Sequence, residues 1–275
     1  MEFTAVAWNL FHGRDFPPDP ALFTWRSRLL RVEERNATHV QVNRDLLDEF
    51  ATVLAAAEWD VALLQECPPR FAASLARACA AEAHRVLTSR NSFGPLRTLA
   101  ARLNPDLIAS GEGGSNLTLV RPEGALGGIA ERREIAIHEG KPERRAMAFT
   151  RTGQGICVAN LHASAHQPAL AVEDVLLAAR MASEWTHGAP LLFGGDFNLR
   201  PAEDPALFEQ LRERFGLAGT TAPRAIDHLL VSGLETVEPP AQWPPERREL
   251  DHDGLALRLS DHAPVTARFA LPPAG

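Results

Sequence analysis

Short apolar runs and amphipathic stretches alternate along most of this chain. Runs bounded by Gly, Pro or Asn predict strands at 3–8, 61–65, 84–88, 116–120, 130–137, 145–150, 156–161, 190–194, 226–231 and 264–270. Apolar residues at helical spacing predict helices over 46–54, 70–82, 168–186 and 204–214. The middle strands follow one another directly, as in an antiparallel meander. The pattern therefore predicts two mixed β-sheets with helices outside.

Two segments lack this periodicity. The Pro-rich stretch 239–245 is typical of a loop rather than a domain linker, and 1–275 is expected to form a single domain. For residues 13–44, two interpretations stay open. They form a loop near the site, with Arg26, Arg28 and Arg31 in reach of phosphate, or a solvated surface insertion, which we favour.

Composition narrows the function classes. The 275 residues carry a net charge of -7, which argues weakly against tight non-specific binding to nucleic acid. The three cysteines form no CxxC pair, so a thiolate zinc site is disfavoured and a reducing, cytoplasmic setting is expected. The sequence shows no signal peptide and no run of about 20 apolar residues that would span a membrane. A monomer is the expected state.

Polar side chains stand where predicted strands end. Asp196 and Asn198 follow the strand at 190–194, and Asp261 and His262 precede the last strand. An acid and an amide two residues apart at a strand end point to the same side, so they can share a metal ion or one water. Taken singly, such residues also suit helix caps and turns. Together they predict one assembled site.

Metal-assisted hydrolysis of a phosphoester is the chemistry that these residue types favour. It needs charge stabilisation, an activated water and help for the leaving group. Glu66 and Asn9, which close the first two buried strands, supply oxygen ligands of the kind that Mg²⁺ prefers. His162 and His262 are candidate proton donors, and Asp227 is a candidate partner for His262.

At these residues the chain resembles the endonuclease/exonuclease/phosphatase superfamily, which has the deoxyribonuclease-I-like fold. Six segments match in the family's order: Trp8-Asn9, Leu64-Gln65-Glu66, Asn160-Leu161-His162, Gly195-Asp196-Phe197-Asn198, Ile226-Asp227-His228 and Ser260-Asp261-His262. The resemblance implies an α/β (α+β) four-layer sandwich, in which two mixed β-sheets are flanked by helices and the site lies at one end. It also implies dependence on Mg²⁺ or Mn²⁺.

The resemblance also assigns roles to residues. The implied metal ligands are Asn9, Glu66 and Asp261; the implied catalytic residues are His162, Asp196, Asn198, Asp227 and His262; the implied substrate-binding residues are Asn116, Asn160 and Asn198. Asp196 would position or deprotonate the attacking water, and Asn198 would contact the phosphate. His162 and His262 would flank the scissile phosphate, with Asp227 orienting His262. A simple turn role for Asn116 stays open.

Two departures from the family pattern limit the substrate. Relatives that cleave at abasic sites carry an acid where this chain has Phe11, and they use a tyrosine, which this chain lacks entirely. A role in abasic-site repair is therefore disfavoured. A nuclease-like enzyme leads, with nucleic acid among the candidate phosphoester substrates. A phosphodiesterase for a small molecule or lipid headgroup is the alternative, and a silent binding protein of the same fold ranks below both. For His12 a place in the cleft, and for Arg145 a contact with phosphate, are alternatives to the solvated surface, which we favour for both.

Overall fold

The architecture is described by a computed structural model that covers residues 1–88, 94–107, 113–139 and 144–272, the side chains of 94–97 excepted. The strands are β1 (Glu2–Asn9), β2 (Glu34–Arg35), β3 (Val40–Gln41), β4 (Val61–Cys67), β5 (Glu82–Leu87), β6 (Ser115–Val120), β7 (Ile129–His138), β8 (Arg145–Thr152), β9 (Cys157–His162), β10 (Leu191–Asp196), β11 (Asp227–Ser232), β12 (Glu235–Gln242), β13 (Glu249–His252), β14 (Leu255–Arg258) and β15 (Val265–Ala270). The helices are α1 (Trp25–Leu30), α2 (Leu47–Ala56), α3 (Ala72–Ala78), α4 (Gly94–Leu103), α5 (Pro168–Thr186) and α6 (Pro205–Phe215).

Two mixed sheets form the centre of the protein. One has the strand order β12-β15-β1-β4-β6-β5 and the other the order β11-β10-β9-β8-β7. The pairs β1–β4 and β9–β10 are parallel, and the other pairings within these two sheets are antiparallel. Helices α2 and α3 cover the first sheet, and α5 and α6 cover the second. The predicted sandwich of two mixed sheets flanked by helices is confirmed.

Strict alternation along the strands builds three apolar layers. In β1, Phe3, Ala5 and Ala7 belong to the core between the sheets, whereas Val6 and Trp8 belong to the core under α2 and α3. Side chains alternate sides along a strand, so the next odd position continues the inter-sheet face. In each strand that reaches the site, the position that continues the inter-sheet face at the end of the strand holds a polar residue, such as Asn9 in β1.

The first and last strands are neighbours in the first sheet. Strand β1 lies between β15 and β4, with Glu2 opposite Ala270. The Leu271 amide donates to the Met1 carbonyl at 3.0 Å, which extends the pairing by one residue. The segment that carries Asp261 and His262 is thereby brought beside Asn9 at the end of β1.

Some sequence-based expectations were wrong. The stretch 239–245 does not lie wholly in a loop, because β12 runs to Gln242. Prolines are tolerated there because β12 is an edge strand, where a residue without an N–H need not break the sheet hydrogen bonds. The pairing of β12 with β15 also contains two register shifts. The helix expected over 70–82 ends at Ala78, because Ala80 adopts a positive φ of 49° and turns the chain into β5. Leu87 ends β5 one residue earlier than predicted.

Residues 13–44 are anchored at a few buried positions, but most of them are exposed or half-buried, as in a surface insertion. They contain α1 and the β2–β3 hairpin, and Val40, Gln41 and Val42 are buried. The Asp15 carboxylate anchors the segment by accepting a hydrogen bond from the Val42 amide at 3.1 Å. A buried network therefore anchors one side of the segment, while residues 28–39 are exposed or half-buried.

Burial raises the pKa of Asp15 to about 8, with the Asp106 charge adding to the effect. The unfolded chain releases this proton near its ordinary pKa of 3.8, whereas the folded chain keeps it until about pH 8. Ionisation thus favours the unfolded state, and stability falls as pH rises through that window. Asp15→Asn removes this titrating group. Between about pH 5 and pH 7, we expect the unfolding free energy of the variant to fall less steeply with pH than that of the wild type. The two slopes should differ by up to about 1.4 kcal/mol per pH unit. Denaturant titrations at several pH values measure this; a slope equal to that of the wild type would contradict it.

Candidate active site

The predicted site residues converge at one end of the sandwich. Asn9 ends β1, His162 ends β9, Asp196 ends β10 and Asp227 begins β11, which runs antiparallel to β10. The carboxyl ends of the parallel pairs therefore meet at this edge. Each residue occupies the inter-sheet side of its strand, in line with apolar residues such as Ala7 of β1. The apolar core between the sheets thus becomes polar where the strands end.

Asn9 and Asp196 join the two sheets directly. The Asn9 amide donates to Asp196 Oδ2 at 2.9 Å, while Asn9 Oδ1 accepts from the Phe11 amide at 2.9 Å. The other Asp196 oxygen accepts from the Asn198 amide at 3.0 Å. Asp196 is 1% exposed, and burial raises its pKa, although the nearby His262 charge lowers it. The predicted acid–amide pair is therefore a rigid unit, fixed across the sheets.

His262 and Asp227 form a hydrogen-bonded pair. His262 Nδ1 lies 2.8 Å from Asp227 Oδ2, which leaves Nε2 directed toward Asp196 Oδ2 at 3.8 Å. Burial lowers the pKa of His262, but the charges of Asp227, Asp196 and Asp261 outweigh it and hold that pKa well above the ordinary value. The imidazole is thus fixed in orientation and carries a proton.

The second histidine, His162, is uncharged. His162 Nε2 lies 3.5 Å from Asp196 Oδ2 and 3.8 Å from Glu66 Oε1. On its other side, Nδ1 is 3.4 Å from the Arg145 guanidinium, which is buried and not solvated as we had expected. Burial and then the Arg145 charge hold the pKa of His162 well below its ordinary value. A neutral imidazole and a charged one therefore face the same carboxylate.

Acidic oxygens gather on the side of the site nearest β1 and β4. Burial raises the pKa of Glu66, with the Asp196 charge adding to it, and an Asn9 hydrogen bond lowers it. Burial also raises the pKa of Asp261, and the Glu66 charge contributes. The side chains of Glu66 and Asp261 keep 23% and 31% of their surface exposed. Adjacent, partly open carboxylates with an amide beside them are the donor set that a hard divalent cation requires.

A second group of ligand atoms is also close enough to hold a metal ion. Those of Asp196, Asp227 and His262 lie within 4.8 Å of one another. However, His262 Nδ1 is engaged by Asp227, and Asp196 Oδ2 accepts from Asn9. Because its atoms are already joined by hydrogen bonds, this group suits proton transfer better than metal binding.

Three site residues carry a left-handed backbone. Glu66, Asn198 and Ser260 have φ values of 46°, 53° and 59°. Non-glycine residues adopt such angles at a cost, and they do so most often where a side chain must be aimed at a functional centre. At Glu66 the turn coincides with a register shift between β4 and β6, which takes its side chain out of the regular alternation.

Gly195 allows the strand before Asp196 to approach its neighbour. Its φ is 126°, and a Cβ added there would lie 2.0 Å from the Leu161 carbonyl oxygen of β9. No side chain fits in that space. The glycine of the Gly-Asp-Phe-Asn motif is therefore required by the close packing of β9 and β10, which sets the distance between His162 and Asp196.

Arg248 holds the loop that presents His262. Its guanidinium is buried and donates to the carbonyls of Leu259, Ser260 and His262 at 3.0, 2.5 and 2.9 Å. The Ser260 hydroxyl donates to the Asn9 carbonyl at 2.6 Å, which ties the same loop to β1. Arg248 lies outside the matching motifs, so sequence reasoning missed it.

Asn160 lies beneath the site and connects the sheets. Its Oδ1 accepts from Gln65 Nε2 at 2.8 Å, and its Nδ2 donates to the Leu117 carbonyl at 3.2 Å. The side chain is fully buried, so protein groups occupy the positions that a substrate would use. Asn116 donates to the Ala146 carbonyl at 2.8 Å, but its buried Oδ1 has no hydrogen-bond partner among the described residues. Substrate binding stays a prediction for both residues.

Replacing Asn160 should therefore act on stability. Asn160→Ala leaves Gln65 Nε2 and the Leu117 carbonyl without their partner in the buried inter-sheet space. We expect a loss of about 2–4 kcal/mol in unfolding free energy, since each unsatisfied buried group costs about 1–3 kcal/mol. Thermal and denaturant unfolding measure it. A wild-type stability with reduced affinity for substrate would instead restore the substrate-binding role.

Two further residues enter the site from the segment that follows β1. His12 Nε2 lies 3.2 Å from Glu66 Oε2, so the surface position expected for His12 was wrong. Arg14 stacks over the Phe11 ring at 3.8 Å, and burial lowers its pKa against the opposing charges of Asp106, Glu66 and Asp261. Among the described residues, Arg26, Arg28 and Arg31 show no contact with the site. Arg14 is thus a cation beside the acids that no motif marked.

A family model described as Endonuclease/Exonuclease/phosphatase family matches residues 6–262. The chain belongs to this family. Family members are in general phosphoester hydrolases that depend on a divalent metal. No curated protein matches the sequence of this endonuclease/exonuclease/phosphatase chain at a significant level.

Solved structures with the same fold share little sequence with this family member. An endonuclease/exonuclease/phosphatase family protein from Bacteroides thetaiotaomicron has a TM-score of 0.65 and 15% identity, covering 99% of this chain and 96% of that one. A mannosyl-6-phosphatase from the same species has a TM-score of 0.63 and 15% identity, covering 98% and 100%. A truncated Caenorhabditis elegans TDP2 has a TM-score of 0.57 and 15% identity, covering 98% of each chain. At these identities the likeness shows the fold alone.

Membrane-spanning helices are not found in the part of the chain that the structure describes. No helix there combines the length and the apolar content that crossing a bilayer would require.

Proposed function

We propose that this protein is a divalent-metal-dependent hydrolase of phosphoesters, with a phosphodiester as the leading substrate. The observation that carries the proposal is the placement of Asp196 Oδ2 between two imidazoles. His162 Nε2 lies 3.5 Å away on one side and His262 Nε2 lies 3.8 Å away on the other. A carboxylate so placed can accept a proton from an attacking water while the histidines donate to phosphoryl oxygens.

Each site residue has a separate role in the proposed reaction, set by its position. Asp196, fixed by Asn9 and the Asn198 amide, orients the water for in-line attack. His262, held by Asp227, donates toward the phosphoryl oxygen or the leaving group. His162, backed by Arg145, donates to another oxygen of the same phosphate. Each group is fixed before the substrate arrives, so little reorganisation is needed as charge develops.

Glu66, Asp261 and Asn9 would hold the metal. Glu66 and Asp261 are partly open to solvent, Asn9 is buried beside them, and all three offer oxygens of the types that Mg²⁺ and Mn²⁺ accept. A bound divalent cation would supply charge stabilisation to the phosphate. The neighbouring Arg14 adds a second positive charge on that side of the site.

The decisive experiment follows p-nitrophenol release from bis-p-nitrophenyl phosphate. We expect turnover with Mg²⁺ or Mn²⁺ and the buffer rate with EDTA. Glu66→Gln should lose turnover, and it should also lose the rise in melting temperature that metal gives the wild type. Asp60→Asn is the matched control, since Asp60 binds the Thr4 and Ala125 amides at the opposite strand ends. Turnover that survives EDTA would overturn the proposal.

The same assay with p-nitrophenyl phosphate separates a diesterase from a monoesterase. Faster release from the diester supports the leading substrate class. Faster release from the monoester would keep the hydrolase assignment and replace the diester with a monoester. Nucleic acid and small or lipid-linked diesters are then compared by competition against the chromogenic substrate.

A further inference from the structure

Large exposed apolar side chains are concentrated in one region of the surface. Nine such residues are exposed in the described chain, and six of them lie on α1 or within 99–107. We call these six the apolar face: Trp25, Leu29, Leu30, Leu99, Leu103 and Leu107. Single exposed apolar residues are normal on a protein surface, but a concentration of this kind marks a contact with another apolar phase.

Hydrogen bonds hold the two parts of the apolar face together. The Asn104 amide, next to Leu103, donates to the Arg28 carbonyl of α1 at 2.6 Å. Asn43 Nδ2 donates to Asn104 Oδ1 at 2.8 Å and to the Ser27 carbonyl at 3.1 Å. These bonds fix α1 beside the end of α4. These hydrogen bonds therefore hold the two parts of the apolar face side by side in the folded protein.

Helix α1 presents its apolar residues outward. The buried Ser27 marks the inner side, and successive side chains are about 100° apart around a helix. Trp25 and Leu29, two residues before and after it, therefore point directly away from the protein. Trp25 is 72% exposed and Leu29 is 59% exposed. This reverses the usual amphipathic arrangement, in which the apolar stripe faces the core.

Basic residues flank this apolar stripe. By the same helical geometry Arg26 and Arg28 lie on either side of it, and Arg31 ends the helix. Within the described residues, no carboxylate lies at ion-pair distance from any of the three. The protein as a whole carries a charge of -7, so these three charges are opposite in sign to the total. Burial raises the pKa of Asp106, but this acid lies close enough to Arg28 for the Arg28 charge to lower that pKa to a smaller extent. Trp and Leu bordered by Arg are typical of segments that lie in the interface of an anionic membrane.

Aromatic rings connect the apolar face to the active site. The Phe11 ring lies 5.7 Å from that of Phe16, which lies 5.1 Å from that of Phe23, just before α1. At the other end, the Phe11 amide donates to the site residue Asn9. A substrate with an apolar part could follow these rings while its phosphate occupies the site.

We propose that the apolar face docks on an anionic lipid surface, and that the site hydrolyses phosphoesters carried by lipids. The substrate class rests on the proposed function, whereas docking does not. A second copy of the chain is a poorer occupant, because facing two such surfaces would bring like-charged arginines together. An anionic bilayer supplies both an apolar layer for Trp25 and Leu29 and charges for the arginines.

Flotation with vesicles tests docking. We expect the wild-type protein to float with phosphatidylcholine vesicles that contain about 30% phosphatidylglycerol, and to float poorly with phosphatidylcholine alone. Trp25→Ala/Leu29→Ala and Arg26→Gln/Arg28→Gln should each reduce binding about tenfold or more. Val237→Ala is the control, since Val237 is an exposed apolar residue on the edge strand β12. Absence of flotation, or equal flotation of all variants, would overturn the proposal.

Tryptophan fluorescence tests the orientation. Trp8, Trp59 and Trp243 are buried and Trp185 is half-buried, so Trp25 is the exposed indole. Lipids with brominated chains should quench Trp25 in the wild type. Trp25→Phe should still bind vesicles but lose that quenching. Binding without any quenching of Trp25 would show that another surface docks and would overturn the assignment.

Two measurements separate this proposal from the function itself. The alanine double variant should hydrolyse bis-p-nitrophenyl phosphate like the wild type, which also shows that it is folded, and should lose activity on a lipid phosphodiester in vesicles. If the wild type binds no vesicles yet hydrolyses the water-soluble diester, docking fails and the function stands. If the wild type is a dimer that the double variant makes monomeric, the face joins two copies, and the membrane proposal is overturned.

Discussion

Asp196→Asn is expected to lower kcat about 10³–10⁴-fold, near the upper end of the range for loss of a positioned base. Asparagine preserves the shape of the side chain and can still accept from one neighbour, but it cannot take a proton from water. Because burial raises the pKa of Asp196, the ionised form is costly to bury, and we expect the variant to melt at the wild-type temperature or above it.

Rates per folded molecule on bis-p-nitrophenyl phosphate measure this effect. The control is Asp60→Asn, the same chemical change at the residue just before β4, at the end of that strand away from Glu66 and the site. The metal-dependent rise in melting temperature should persist in Asp196→Asn, since Glu66 and Asp261 remain. A variant with wild-type kcat would remove Asp196 from the mechanism, and a variant that lost metal binding would make Asp196 a ligand.

Asp227→Asn is expected to lower kcat about 10²–10⁴-fold. The 2.8 Å bond from His262 Nδ1 to Asp227 Oδ2 fixes the ring so that Nε2 points toward Asp196. An amide in place of the carboxylate no longer favours the charged imidazole, and it can present an N–H to the ring instead of an acceptor. Asp227 acts through His262 as a positioning residue.

A double-mutant cycle distinguishes this role from a merely structural one. If Asp227 acts only through His262, Asp227→Asn/His262→Ala should be no slower than His262→Ala alone. Effects that multiply would give Asp227 an independent role. His84→Gln is the control histidine, since His84 lies on β5 and binds Thr150 away from the site; it should keep the wild-type kcat.

The parts of the fold that the sequence could predict are those in which burial dictates the pattern. The α5 prediction, 168–186, coincides with the helix because one of its faces is a continuous row of small and apolar residues. The hairpins β2–β3 and β13–β14 escaped prediction, since strands of two and four residues are too short to show alternation. Helix α4 also escaped prediction, although Leu96, Leu99 and Leu103 stand at helical spacing.

At the site, the residues that the sequence could place together are those that belong to a motif at a strand end, and their roles stay predictions. The structure brings Asn9, Glu66, His162 and Asp196 within a few ångströms of one another, as the pattern implied. The sequence pattern did not mark Arg14, and it left His12 and Arg145 undecided between the site and the surface. Their positions depend on a left-handed turn after β1 and on the pairing of β8 with β9, which are tertiary features without a local signature.

The seating of β1 between β15 and β4 has a consequence for biosynthesis. On a ribosome, β1 and β4 emerge early, yet the edge of β1 that β15 covers stays open until residues 265–270 have left the exit tunnel. His262 and Asp261 are delivered by the same segment, so a nascent chain that ends before β15 would expose an unpaired strand and lack part of its site. Arrested chains ending before and after β15 should therefore differ both in catalysis and in their need for a chaperone.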